Sequence, residues 1–182
     1  VVGTLGNFNA ISDLTFIGGR GLLDYSIAGT AAHGGSGIFL DNLNLNVTNS
    51  AFSGGLGGVN ITPNGNIFGV TGHGIEWNVG IGNDSSLVLV DSTVVDGIDI
   101  EADFGAILNF SYTNSSIIGG INKTGSGSLK INNRDENSLN DLDVLDGSVI
   151  FSDYLTVGSE EQITLSSQNS MLIASNGLNL AG

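Results

Sequence analysis

The stretch Asn49-Ser50-Ala51-Phe52-Ser53-Gly54-Gly55-Leu56 comes back twice further along the chain. It returns as Asp91-Ser92-Thr93-Val94-Val95-Asp96-Gly97-Ile98, then as Asn114-Ser115-Ser116-Ile117-Ile118-Gly119-Gly120-Ile121. Each copy reads Asn or Asp, Ser, a small residue, two mostly apolar residues, a turn, and an aliphatic restart. The text ahead of each copy alternates as a strand does: Leu43, Leu45 and Val47, then Leu87 and Leu89, then Ile107 with Leu108. The copies begin 42 and 23 residues apart, which predicts that the first two lie two coils apart.

Six glycines keep a similar step: Gly19, Gly37, Gly55, Gly74, Gly97 and Gly120, with gaps of 18, 18, 19, 23 and 23 residues. Ile38, Leu56, Ile75, Ile98 and Ile121 follow five of them, and Arg20 follows the sixth. A period near twenty marks one supersecondary unit stacked repeatedly. The units are rich in Val, Ile, Thr, Ser and Asn and lack runs of helix formers. The expected fold is therefore all-β, a parallel β-helix (β-solenoid) forming a single domain over 1–182.

Such a coil has a clear physical logic. Each strand is too short to stand alone, but parallel stacking pairs its backbone groups with the coils above and below. Leu, Ile, Val and Phe fill the lumen. Gly-Gly and Asn-Gly corners supply positive φ. A single proline, Pro63, suits a ladder that needs every donor, and Pro63-Asn64-Gly65 reads as a turn or a loop leaving the stack.

Composition agrees. Of 182 residues, 40% are hydrophobic and only 12% charged, so 21 Asn together with Ser and Thr carry the polarity. Neutral polar side chains can stack in ladders without like-charge repulsion. The net charge is −14, and Arg20, Lys123, Lys130 and Arg134 are the four basic residues. That balance argues against nucleic acid and against anionic membrane surfaces. With no Cys, disulfides, thiolate metal sites and Cys nucleophiles are excluded. No apolar run is long enough to span a bilayer. The chain opens at Val1 without Met and shows no signal peptide, so it reads as a mature fragment of something longer.

The texture changes near Lys123. Lys123, Lys130 and Arg134 fall within twelve residues, and a polar loop excursion is expected at about 132–141. Strand-like text resumes at Val144–Phe151, followed by short strands at Leu155–Val157, Ile163–Leu165 and Leu172–Ala174.

Ile121-Asn122-Lys123-Thr124-Gly125-Ser126-Gly127-Ser128-Leu129-Lys130-Ile131 resembles the first half of the passenger repeat of bacterial autotransporters. Val144 to Phe151, with Gly147 in the glycine slot, is similar to the second half. The resemblance covers about thirty residues and implies a right-handed parallel β-helix exported to the Gram-negative cell surface. Such passengers are commonly adhesins or aggregation factors. The translocating barrel, a signal sequence and the Gly-Asp-Ser-Gly element of protease passengers are not in this chain.

Candidate chemistry is sparse. His33 and His73 sit in Gly-rich turns and could share a metal, or stand idle at corners on different coils. The acids Asp91, Asp96, Asp99, Glu101 and Asp103 cluster. Alternation puts Asp99, Glu101 and Asp103 on one strand face, as a Ca²⁺ candidate, a carboxylate pair for sugar chemistry, or a solvated outer face. No basic residue lies between Arg20 and Lys123 to assist sugar chemistry, which favours the solvated face. The Ca²⁺ nonapeptide pattern begins at Gly18-Gly19-Arg20-Gly21 and Gly34-Gly35-Ser36-Gly37, then fails where Leu23 and Phe39 replace the ligand. No Gly-x-Ser-x-Gly elbow or phosphate loop occurs. Asn46, Asn60, Asn83, Asn109, Asn114 and Asn122 head Asn-x-Ser/Thr triplets, better explained by Asn ladders. Trp77, the single Trp, either stacks on a sugar ring or faces the lumen.

No catalytic residue and no cofactor is assigned. The expected function is a non-enzymatic, secreted or cell-surface structural and adhesive module. Its partners would be a host glycan or protein, or copies of itself, with no nucleic acid and no membrane insertion. Two alternatives stand beside it: a carbohydrate-active β-helix enzyme, and a filament subunit with a β-sandwich fold assembling by strand addition.

Overall fold

The computed structural model describes residues 10–21, 32–62, 65–132, 141–152, 155–157 and 162–180. The expected turn at Pro63-Asn64, the Ca²⁺-repeat position Leu23, Arg134 and most of the excursion at about 132–141 lie outside them. Every element among the described residues is a strand.

The chain winds lap upon lap. β1 (Ala10–Ser12), β2 (Thr15–Ile17) and β3 (Ile38–Asp41) make the first lap. β4 (Leu45–Thr48), β5 (Ala51–Ser53), the hairpin β6 (Val59–Thr62) and β7 (Gly65–Phe68), and β8 (Ile75–Val79) make the second. β9 (Asp84–Val90), β10 (Thr93–Val94) and β11 (Ile98–Ala102) form the third. β12 (Ile107–Thr113), β13 (Ser116–Ile117) and β14 (Ile121–Thr124) form the fourth. β15 (Ser128–Asn132) and β16 (Asp141–Val144) follow, then β17 (Ser148–Phe151), β18 (Leu155–Val157) and β19 (Gln162–Leu165), and last β20 (Met171–Ala174) and β21 (Leu178–Leu180).

Corresponding strands pair in parallel. Sheet 1 runs β1-β4-β9-β12-β15-β17-β20, sheet 2 runs β2-β5-β10-β13, and sheet 3 runs β3-β8-β11-β14-β16-β19. Within the described residues the one antiparallel pair is β6 with β7. The chain is therefore a parallel β-helix, and the sandwich alternative falls, because facing antiparallel layers would leave these ladders unmade.

Alternation aims one residue in two at the lumen, and register lines those residues up. Leu45, Leu87, Phe110, Ile131, Phe151 and Ala174 form one inner row of sheet 1. Phe16, Phe52, Val94 and Ile117 form the inner row of sheet 2, with the first two rings stacked at 5.1 Å. Ile38, Ile75, Ile98, Ile121, Leu142 and Ile163 begin sheet 3. The middle of these rows is dry: Leu87, Phe110, Val94 and Ile75 are all 0% exposed.

The repeated Asx-Ser pair forms a corner ladder. Asp13, Asn49, Asp91 and Asn114 all take positive φ, from 47° to 56°, which Asn and Asp tolerate better than other side chains. Asn49 donates to the Asp13 carboxylate at 2.6 Å, and Asn114 to Asp91. Beneath them, Ser50, Ser92 and Ser115 each donate to a carbonyl two residues back. The same hydroxyls accept from the preceding lap: Leu14 N to Ser50, Ser50 N to Ser92, Ser92 N to Ser115. The Ser hydroxyls thus satisfy buried backbone donors where the sheet ladder is interrupted.

Two expectations about the repeat are corrected. The copies at Asn49 and Asp91, 42 residues apart, lie on adjoining laps rather than two coils apart: Ala51 pairs with Thr93 and Phe52 with Val94. The early laps are long, 36 and 42 residues, against 23 and 20 later. Each carries a glycine-rich excursion between sheets 2 and 3.

The glycine register accordingly splits. Gly37, Gly74, Gly97 and Gly120 do stack at one corner, each ahead of an inward Ile. Gly19 and Gly55 belong instead to outgoing legs of the excursions, and Leu56 is 60% exposed rather than a core restart. Outgoing and returning legs pack backbone to backbone: Gly35 N to Gly19 O at 2.7 Å, Gly55 N to Gly35 O at 2.8 Å, Gly72 N to Gly55 O at 2.9 Å. A Cβ on Gly18, Gly34 or Gly54 would fall on a carbonyl of the neighbouring leg. Close approach, not positive φ, is what selects glycine here.

Candidate binding face

The carboxylate row divides on inspection. Ile98 and Ile100 point inward, as the alternation predicts, and Asp99 and Glu101 point outward from β11. Asp99 is half-buried and accepts from Asn122 at 2.7 Å, inside an outer row with Glu76. Asp103 lies beyond the end of the strand, its N–H bonded to Val79 O. No group of three or more His, Asp or Glu among the described residues is close enough to hold a metal ion. The Ca²⁺ candidate Asp99, Glu101, Asp103 is therefore not assembled as a cage, because two members belong to a ladder and the third to a corner.

Trp77 occupies the lumen, 0% exposed, with its indole N–H donating to Ser85 at 3.0 Å and its ring edge-on to Phe110. Ser85 in turn donates to Leu43 O. Of the two readings of Trp77, the ring is enclosed as core and is not offered to a sugar. The histidines stay apart: His33 accepts from Val70 N at 3.1 Å, whereas His73 lies beside Gly37, its carbonyl bonded there.

Lys123 is a charged residue that the alternation from Ile121 carries into the lumen. It lies in the lumen row Leu40, Trp77, Ile100, Lys123, Val144, Leu165, and it is 0% exposed. Its ammonium donates to three carbonyls: Thr124 at 3.1 Å, Asp146 at 2.8 Å, and Gly125. Burial pushes its pKa down to about 8, against the opposing pull of the Asp146 carboxylate. Three donors meet three acceptors, so the charged form is fully bonded. The amine ties the corner at Gly125 to the corner at Gly147, both at positive φ. These corners belong to the two halves of the autotransporter-like text, which thus lie on adjoining laps.

The outer face of sheet 1 carries an open concavity. A groove of about 500 Å³ is lined by Asn44, Asn46, Asp84, Ser85, Ser86, Asn109 and the edge of Leu45. It arises from a mismatch in strand length. Leu45 opens β4 and pairs with Leu87, so Asp84, Ser85 and Ser86 of β9 run on with no β4 residue beside them, while their other edge pairs with Ile107, Leu108 and Asn109 of β12. Ser86 reaches Asn44 at 2.9 Å across the notch. The lining is amide, hydroxyl and one carboxylate, with Lys130 one rung beyond Asn109. The volume lies within the range of small-ligand sites.

No protein-family model, curated protein or solved structure matches this chain.

Proposed function

We propose that the protein is a non-enzymatic structural and adhesive module of the bacterial cell surface, attaching to host surfaces or to copies of itself. The observation that carries this reading is the polar, hydrogen-bonding groove on the outer face of sheet 1, set on a scaffold of stacked laps. Polar side chains such as Asn46, Ser86, Asn109 and Ser111 along that face make several weak contacts at once, and multivalent contact builds avidity without one deep pocket. The stacked corners at Gly125 and Gly147 support the passenger resemblance, and with it export to the cell exterior.

The test is a cell-adhesion and cell-aggregation assay of the purified chain, with sedimentation of the chain alone. Clumping, surface attachment or reversible self-association is the expected result. A strict monomer that neither clumps cells nor attaches to a surface sinks the proposal.

A further inference from the structure

Two turns come directly before the strands that line the groove, and they are built alike. Gly80-Ile81-Gly82-Asn83 closes with Asn83 N to Gly80 O at 3.1 Å, and Asp103-Phe104-Gly105-Ala106 with Ala106 N to Asp103 O at 3.0 Å. Each has glycine at the third position with positive φ, 66° at Gly82 and 74° at Gly105. They stack directly, Gly82 N on Phe104 O at 3.1 Å and Ile107 N on Asn83 O at 3.0 Å. Both hold a large apolar side chain in water: Ile81 is 73% exposed and Phe104 76%. The strands that leave these turns, β9 and β12, carry Asp84, Ser86 and Asn109 straight into the groove.

We propose that this groove is a subsite for a neutral, hydroxyl-rich saccharide chain, with Phe104 as its stacking platform. The inference rests on the adhesive reading above and gives it a place and a ligand class. A pyranose ring has an apolar C–H face and a polar rim. The same two kinds of surface are at hand: a floor of Asn44, Asn46, Ser86 and Asn109, and the exposed Phe104 on the hydrogen-bonded turn that leads into β12. Amides donate and accept at once, which suits hydroxyls that do the same, and the Asp84 carboxylate accepts from a hydroxyl pair. Charge selects against acidic sugars, because the chain carries −14 overall and Lys130, the cation paired with Asn109 among the described residues, lies one rung past the floor. The turn geometry matters too. Two consecutive laps present an apolar side chain outward at the same corner, on turns whose backbones are hydrogen-bonded within themselves and to each other, so little backbone freedom is left to lose on binding.

The experiment is titration calorimetry of the purified chain against neutral gluco-, manno-, galacto- and N-acetylglucosamine oligomers, with sialylated and sulfated counterparts. Binding to at least one neutral oligomer is expected. Phe104→Ala should weaken it about two- to tenfold, and Asn109→Ala by a similar factor. Both sites lie outside the lumen, and buried Trp77 fluorescence checks that each variant is folded. No binding to any neutral oligomer, binding indifferent to both substitutions, or preference for the acidic counterparts overturns the subsite. Failure of the adhesive reading looks different. A chain that binds a neutral oligomer but neither clumps cells nor attaches to a surface keeps the groove and loses the module, whereas clumping without any sugar binding keeps the module and loses the groove.

Discussion

At the scale of single residues, the interior is specified by a few polar atoms as much as by its apolar rows. Ser92 accepts from Ser50 N and donates to Val90 O, and it is 3% exposed. Ser92→Ala leaves Ser50 N without its acceptor, while Val90 O keeps Asn49 N, and should lower unfolding free energy by about 1–3 kcal/mol. Ser116→Ala, on the exposed face of the next lap, should stay within about 0.5 kcal/mol. Chemical denaturation of the pair checks the contrast. Lys123 gives a pH signature. Its folded pKa of about 8 lies below its ordinary 10.5, so between those values the unfolded chain binds more protons than the folded one. The contribution of Lys123 to stability therefore rises as pH climbs from about 8 to 10.5, and falls as the buried ammonium is charged at lower pH. Denaturation midpoints of wild type against Lys123→Met across that window should diverge in favour of wild type. Parallel curves would show that the amine does not titrate there.

At the scale of elements, the glycine legs and the Asx-Ser corners solve different problems. The corners need a left-handed residue whose side chain still bonds to the next lap. The legs need backbone in contact with backbone. Gly55→Ala places a methyl against the carbonyls of Gly18 and Gly19, whereas a Cβ on Gly19 meets nothing within 4 Å. Gly55→Ala should open the excursions, with amide exchange accelerating over 18–21, 32–37, 54–58 and 69–74 while β9 to β15 stay protected. Gly19→Ala should leave exchange unchanged. Equal protection in both variants would refute the close-packed legs. The same contrast explains a misreading at this scale. Glycine spacing looks identical whether it marks a corner or a leg, since both use the missing Cβ, and only neighbours in space tell them apart.

At the scale of the whole molecule, stability runs along the stack. Inner-row residues of the middle laps are dry, but Ile163, Leu172 and Ala174 near the last lap are only partly buried. In a solenoid each lap is held by its neighbours, so terminal laps open first. Exchange should be fastest in β20 and β21 and slowest in β9 and β12. Trp77 bridges laps at the centre of the protected region. Trp77→Ala should cost about 3–5 kcal/mol, read by circular dichroism on denaturation. A loss below about 1 kcal/mol would mean the ring is not core.

Strand content, parallel stacking, the Asx-Ser corners and the inward Leu, Ile, Val and Phe were all determined by the amino-acid sequence itself, because period-two alternation and a repeated corner are local signals. The inner rows could be read from Ile75, Ile98 and Ile121 alone. What the tertiary structure decided was which lap lies beside which. A 42-residue lap and a 23-residue lap carry the same corner text, and chain distance says nothing about an excursion between them. It also decided the buried Lys123, whose three carbonyl partners come from two different corners, and the groove of Asn44, Ser86 and Asn109. That groove exists because one strand starts later than its neighbour, a relation between laps that no single segment contains.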